Sequence, residues 1–337
     1  MLPALIWTLF ATAVLVVGMA GYTLSRYGDV IAEKTGLSGT WIGFVLLATV
    51  TSLPELITGV SAVALARAPN IALGNVLGAC VFNLALIVLL DFLQRGESVY
   101  TRASRGHVLS AGFGVILIGF IGFNLLLAGS GAVWAIGHVG FYSPAILIIY
   151  LVAMRTVYRY ERQQMAAFSS EVAERYPHLT MAQATRRYAF AALLVIGVGA
   201  GLPFLGEAMA TAMGWHRTFV GTFFIALATT TPELAVTVAA LRLGALDMAI
   251  GNLFGSILFN LVIVAVDDVF FLQGPLLSLV SPIHAVSVLS AMMMMGVAIV
   301  GLLYPASPRF LKNVGWASLF LLSLYLLNTY VLYLYGE

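Results

Sequence analysis

The chain has 337 residues, of which 61% are hydrophobic and 9% charged. Soluble domains carry about 25% charged residues, so this composition excludes a water-soluble globule and describes an integral membrane protein. A net charge of +2 argues against a nucleic-acid partner, and the single cysteine, Cys80, excludes an internal disulfide or a multi-cysteine metal cluster.

No basic region precedes the first apolar run, Leu2 to Leu24, so it reads as a first helix rather than a signal peptide. The apolar runs far exceed the roughly 10-residue alternating segments of a membrane barrel, which predicts an all-α architecture. Five spans are predicted at 3–24, 39–66, 70–94, 107–128 and 131–154. Ala128-Gly129-Ser130-Gly131 is the turn that divides the last two. Five more follow at 187–212, 217–241, 246–272, 277–303 and 310–335. The chain therefore divides into a first five-helix unit (1–154), a linker of mixed charge (155–186) and a second five-helix unit (187–337).

Lysine and arginine test that count. With ten spans, the face holding both termini carries only Arg67 and Arg217 of the 16 basic residues, and the other fourteen, from Arg26 to Lys312, share the opposite face. The positive-inside rule then puts both termini outside and the basic loops and linker in the cytoplasm. A cell inner (plasma) membrane is the expected location.

The two units are copies. Thr51-Ser52-Leu53-Pro54-Glu55-Leu56 recurs as Thr229-Thr230-Thr231-Pro232-Glu233-Leu234 at an offset of 178. Gly28-Asp29, Gly36, Thr40, Gly43 and Ala48 meet Gly206-Glu207, Gly214, Thr218, Gly221 and Ala226 at the same offset. At an offset of 177, Gly74-Asn75, Gly78, Phe82-Asn83-Leu84 and Asp91 meet Gly251-Asn252, Gly255, Phe259-Asn260-Leu261 and Asp268. Five spans per copy is odd, so the second copy inserts upside down. The fold class is thus ten transmembrane helices in two inverted-topology five-helix repeats, the plan of many secondary transporters.

The matched residues are polar. An ionisable side chain at bilayer depth costs roughly 2.5–3.5 kcal/mol on insertion scales, which points to function at Glu55 and Glu233. Pro54 and Pro232 should break their helices and free carbonyls upstream, near Ala48 and Ala226. Those carbonyls, the hydroxyls of Thr51, Ser52, Thr229 and Thr230, and the two carboxylates are hard oxygen donors. Calcium takes six to eight such oxygens; zinc or copper would call for His or Cys, which the phrase lacks. Two ionised glutamates carry −2, matched by one Ca²⁺ or by two monovalent ions, which favours antiport over a channel. Asn83 and Asn260 stand one turn beyond Ala79 and Ser256 on the same helix face and complete the expected lining; Asn75 and Asn252 are further candidates. The glycines four apart in each copy are expected to let helices approach closely.

These motifs resemble the paired alpha-repeats of the cation/calcium antiporter superfamily, whose phrase G-T-S-L-P-E-L is followed by G-N-x-x-G-S-N-I-F-N or -D. The chain is most similar to its prokaryotic sodium/calcium exchanger branch. The resemblance implies a calcium ion held by Glu55, Glu233, Thr51, Thr229 and the carbonyls of Ala48 and Ala226. It also implies flanking sodium sites, and first and sixth helices that slide across the other eight. Ala79 departs from the family's sodium-holding serine, which stands intact as Ser256. Asn260 replaces a common acid, and Val50 and Ala228 replace glycines. The expected function is therefore Ca²⁺/Na⁺ antiport by one protomer, with no resident cofactor. The same fold driven by H⁺ or K⁺ is the alternative, and a non-transporting scaffold or receptor is an alternative of another class. No Gly-x-Ser-x-Gly or His-Glu-x-x-His motif suggests an enzyme.

Other polar positions are expected to be structural. His138 and His284 read as packed residues in apolar helices, Met292 to Met295 as adaptable filler, and Asp91, Asp267 and Asp268 as solvated helix ends.

Overall fold

The computed structural model describes residues 3–34, 49, 51–94, 97–131, 133–165, 176, 178–242, 244, 246–304 and 314–336. Gly36, Thr40, Gly43, Ala48 and Val50 lie outside the described residues, as do the side chain of Asp29 and residues 166–175 and 177 of the linker.

Among the described residues, eleven helices carry the architecture: α1 (Pro3–Lys34), α2 (Leu53–Ala64), α3 (Pro69–Leu93), α4 (His107–Gly129), α5 (Tyr142–Met165), α6 (Met181–Met213), α7 (Arg217–Thr229, including a π-helical stretch Val220–Ile225), α8 (Thr231–Arg242), α9 (Leu246–Phe270), α10 (His284–Leu303) and α11 (Trp316–Tyr335). Seven of them are long and apolar enough to cross a membrane alone, and α7 with α8 makes an eighth span bent by 46°. α2 is the described part of the second span, and α5 is the fifth, its apolar start running into a charged end. The result is the expected ten-helix membrane fold in two inverted repeats.

The structure moves several predicted boundaries, among them the end of the fifth span, from 154 to Met165, and the start of the ninth, from 277 to His284. α1 continues to Lys34 and α6 starts at Met181, because polar extensions of the two helices pack on each other. Tyr27 and Val30 meet Ala184 and Tyr188 there, Arg187 bonds the Tyr27 hydroxyl, and Thr180 and Gln183 form a capping box. The fifth span begins at Tyr142 rather than Gly131. α4 ends at Gly129 as the turn signal predicts, and a two-stranded hairpin, β1 (Ala135–Ile136) with β2 (Val139–Gly140), intervenes. Gly137 turns that hairpin at φ +63°, a backbone region open to glycine. His138 therefore sits in a turn rather than an apolar helix; it is half-buried, with Nε2 2.9 Å from the carbonyl of Val269.

Inversion is visible in the packing. α1 and α6 lie along each other; α1 also packs on α8, and α6 on α2. Thr58 and Ser61 on α2 donate to the carbonyls of Gly199 and Ala200 on α6, at 3.2 and 2.6 Å. α3 and α9, the most enclosed spans, cross at the centre, flanked by α4, α5, α10 and α11.

The sharpest signature lies in mirrored polar caps. Ser104 N donates to Asp247 Oδ1 at 2.6 Å, and Ser281 N, 177 residues on, donates to Asn70 Oδ1 at 2.7 Å. Asp91 accepts from Ser98 Oγ (2.8 Å), Val99 N (3.1 Å), Gly315 N (2.8 Å) and Ser318 Oγ (2.8 Å). Its copy, Asp268, accepts from Leu276 N (2.7 Å), Gly140 N (2.8 Å), Ser143 Oγ (2.5 Å) and Tyr142 Oη (2.5 Å). Each aspartate thus ties the end of its own repeat's third helix to the next loop and to the start of the other repeat's fifth helix. The expectation that Asp91, Asp267 and Asp268 are solvated is corrected: all three are fully buried. Composition near a helix end cannot reveal burial supplied by a segment more than a hundred residues away.

His284 is buried as expected, but neither ring nitrogen has a partner among the described residues. Within the methionine run, Met294 and Met295 are buried, and Met295 fills the space left by Gly114, whose Cβ would meet its Cε at 2.3 Å.

Candidate functional site

Proline starts both site helices. Pro54 and Pro232 occupy the first turn of α2 and α8, where a missing N–H costs no helical bond. The preceding residues, Ser52 (φ −88°, ψ 10°) and Thr230 (φ −83°, ψ 6°), are non-helical, and at the second phrase α8 bends 46° from α7. The break does not leave the Ala226 carbonyl free. It accepts from Thr230 N (2.9 Å) and Thr230 Oγ1 (2.6 Å), with Thr229 Oγ1 at 3.2 Å. Threonine hydroxyls have folded back onto the carbonyl that the proline was expected to expose. Ala48 lies outside the described residues.

Glycine decides how closely α3 and α7 approach. A Cβ on Gly78 would stand 2.2 Å from Thr222 O and 2.8 Å from Ala226 Cβ, and one on Gly74 3.1 Å from Thr222 N. α3 is thus in backbone contact with the π-helical turn of α7. Gly78→Ala should lower the thermal unfolding midpoint in detergent by an overpacking cost of about 1–3 kcal/mol. Gly112→Ala, which meets nothing within 4 Å, should leave that midpoint in place.

That approach gathers the polar residues. Thr51, Ser52, Glu55, Asn75, Asn83, Thr229, Thr230, Glu233, Ser256 and Asn260 are all fully buried, and Asn252 is 1% exposed. Their bonds cross between repeats. Ser52 Oγ donates to Glu233 Oε1 (3.1 Å), and Thr51 Oγ1 lies 3.3 Å from Ser256 Oγ. Thr229 Oγ1 donates to Asn75 Oδ1 (2.9 Å), and Asn75 Nδ2 to the Glu55 carbonyl (3.4 Å). The Thr229 hydroxyl lies beside the Glu55 carboxylate and Thr51 beside that of Glu233, and the two carboxylates act on each other electrostatically. Glutamates 178 positions apart therefore share one enclosure.

The enclosure is rich in oxygens that nothing satisfies. Among the described residues, both Glu55 oxygens, Glu233 Oε2, both polar side-chain atoms of Asn83 and of Asn260, and Asn252 Oδ1 have no hydrogen-bond partner. Burying such groups unpaired costs several kcal/mol together, a cost that a bound ligand would offset. Carboxylate and amide oxygens dominate it, the donor set of a hard cation.

The copies are not equivalent. Ser256 gives Thr51 a partner; its counterpart Ala79 has no hydroxyl, and Thr229 turns to Asn75 instead. Ser52 reaches Glu233, whereas its counterpart Thr230 caps Ala226, leaving Glu55 without a hydrogen-bond partner among the described residues. The copies thus differ at two pairs of positions, Ala79 with Ser256 and Ser52 with Thr230.

A family profile described as sodium/calcium exchanger protein matches residues 5–158 and 187–335. The chain is 25% identical over 262 residues to the inner membrane protein YrbG of Escherichia coli (strain K12), covering 76% of this chain and 78% of that one. Its fold is similar to that of the H⁺/Ca²⁺ exchanger CAX, with a TM-score of 0.70 and 16% identity over 98% of this chain and 82% of that one. It is also similar to the sodium-calcium exchanger NCX_Mj, with a TM-score of 0.60 and 20% identity over 96% of this chain and 97% of the other.

Proposed function

The chain belongs to the sodium/calcium exchanger protein family, and from that premise we propose that it is a secondary antiporter exchanging Ca²⁺ for Na⁺ through the buried enclosure of Glu55 and Glu233. It is a multi-pass membrane protein of a family of cation/Ca²⁺ antiporters. The observation that carries the proposal is the meeting of two glutamates, one from each inverted repeat, with three of their four oxygens unpartnered among the described residues.

Charge gives the mechanism. A site of −2 in a dry interior is stable when filled by one Ca²⁺ or two monovalent cations and costly when empty and ionised. The protein therefore changes its exposed face loaded, which ties the flow of one ion to the return of the other. Glu55, Glu233, Thr51 and Thr229 would hold calcium. Ser52, Thr230, Ser256, Asn83 and Asn260 would complete the calcium and sodium positions, with Asn75 orienting Thr229. The carbonyls of Ala226 and Ala48 would join them, Ala226 once the threonine hydroxyls turn toward the ion. Inverted repeats supply two conformations of similar energy, open to opposite faces. All the named donors come from one chain, which supports a single working protomer. The biased placement of basic residues supports outer termini and a cytoplasmic linker at 155–186.

Ala79 favours a second reading on the same fold. A lost hydroxyl weakens one flanking monovalent position, and two protonatable glutamates can use protons without it. In proteoliposomes, an outward Na⁺ gradient should drive ⁴⁵Ca²⁺ uptake. A response to a proton or potassium gradient without one to sodium would replace the driver, and silence to all three would remove the antiport reading.

A further inference from the structure

One buried acid on a site helix takes no part in the enclosure. Asp267 lies on α9 seven residues beyond Asn260 and eleven beyond Ser256, two and three turns along the same face. It is fully buried, and neither carboxylate oxygen has a hydrogen-bond partner among the described residues. Gly59 on α2 fixes where it points. A Cβ built on Gly59 would stand 2.6 Å from both oxygens, so the carboxylate lies across the Gly59 backbone. Gly59 is one turn past Glu55, toward the ends of α2 and α9 that lie away from the basic loops.

The repeat shows that this acid is an addition. The offsets of 178 and 177 map Gly59 and Asp267 onto Thr237 and Leu90. Leu90 is buried, and Thr237 Oγ1 accepts from Asn252 Nδ2 at 3.5 Å. One half thus pairs leucine with threonine where the other pairs an acid with a glycine that makes room for it. An ionisable group at this position in one half alone gives the exchanger a difference between its faces.

The surroundings select the ligand. Sodium or calcium at Asp267 would require several further oxygens, and neither carboxylate oxygen has a hydrogen-bond partner among the described residues. A proton requires one oxygen and cancels the charge. The titratable groups on the packed elements are otherwise engaged or distant. Glu55 on α2 and Glu233 on α8 belong to the enclosure, with Cys80 on α3 near Glu55, and Asp268 is held by its four donors, Tyr142 of α5 among them. His138 of the hairpin lies against Val269 O, and His107 on α4 pairs with Asp247 at the far end of α9. Asp91 on α3 and Arg242 on α8 stand at the basic-loop end.

We propose that Asp267 is a proton-binding residue of the transport cycle. With the outer side closed, its carboxyl keeps the O–H bond. When α2 and α9 part there, the proton passes to external water, and the carboxylate left behind draws a cation toward Glu55. On closure a proton from that water restores the O–H. This rests on the antiport reading above.

The test measures the apparent KM for external Ca²⁺ in right-side-out vesicles, with internal pH clamped and external pH varied. In the native protein that KM should rise up to about tenfold per unit of acidification once protonation dominates. Asp267→Asn, which mimics the protonated form, should show the weak acid-limit KM at every external pH. Asp267→Glu should restore the dependence, and His138→Gln should keep it. A native pH profile in Asp267→Asn would overturn the proposal. So would failure of both Asp267→Asn and Asp267→Leu to fold where Asp267→Glu folds, since the ionised carboxylate would then be structural. Absence of Ca²⁺ exchange in the native protein under every gradient would instead remove the antiport reading.

Discussion

Glu55→Gln and Glu233→Gln, made singly, are each expected to abolish Ca²⁺ exchange while leaving the protein folded. Either change keeps the shape of the side chain and removes one of two charges. Ca²⁺ would then sit in the enclosure with one positive charge uncompensated. A lost unit charge at 4 Å is worth about 4 kcal/mol at an effective dielectric of 20, and Ca²⁺ carries two charges, so about a thousandfold loss of affinity is a lower bound. Stability should move the other way. Glu55 has no hydrogen-bond donor among the described residues, so Glu55→Gln removes a buried charge and breaks no bond. Its melting temperature in detergent should equal or exceed the native value. In Glu233→Gln the amide oxygen can still accept from Ser52 Oγ, now 3.1 Å from Oε1. Exchange within tenfold of native in either variant would exclude that glutamate as an ion ligand.

Asp268→Ala is expected to have the largest effect on folding of any single substitution considered. It strands two backbone N–H groups, of Gly140 and Leu276, and two hydroxyls, of Tyr142 and Ser143, in a buried place. At about 1–3 kcal/mol for each donor left unsatisfied, the loss exceeds 4 kcal/mol, a large part of a typical folding free energy. Little folded protein should be recovered from membranes, and Asp91→Ala should behave alike because it strands the mirrored set. The adjacent Asp267 makes no hydrogen bond among the described residues, so its neutral isostere should be tolerated. A melting temperature unchanged in Asp268→Ala would mean that the mirrored caps do not hold the two repeats together.

Much of the candidate site is legible in the sequence because its signals are local or repeated. Glu55 and Glu233 stand out because a carboxylate among apolar residues is costly wherever the chain goes, and the duplication marks which polar residues matter. Asn75 and Thr229 were identified as separate candidates; their mutual bond was not legible, because it depends on a close approach of α3 and α7 that Gly74 and Gly78 permit. The burial of the three aspartates is illegible in the sequence for a related reason. Asp91 and Asp268 have partners 7 and 8 residues ahead but others more than a hundred residues away, and only the latter bury them.

What the sequence by itself determined is the number of spans, their inversion and the hard-oxygen chemistry at their centre. These follow from hydrophobic length, charge placement and residue type, which act one position at a time. What only the tertiary structure decided is the pairing of those residues. The Ala79 and Ser256 difference became an unequal enclosure, the Ala226 carbonyl was taken by threonine hydroxyls, and Asp267 came to lie bare against Gly59. Burial and hydrogen bonding are properties of neighbours in space, and in an inverted repeat the decisive neighbours come from the other half of the chain.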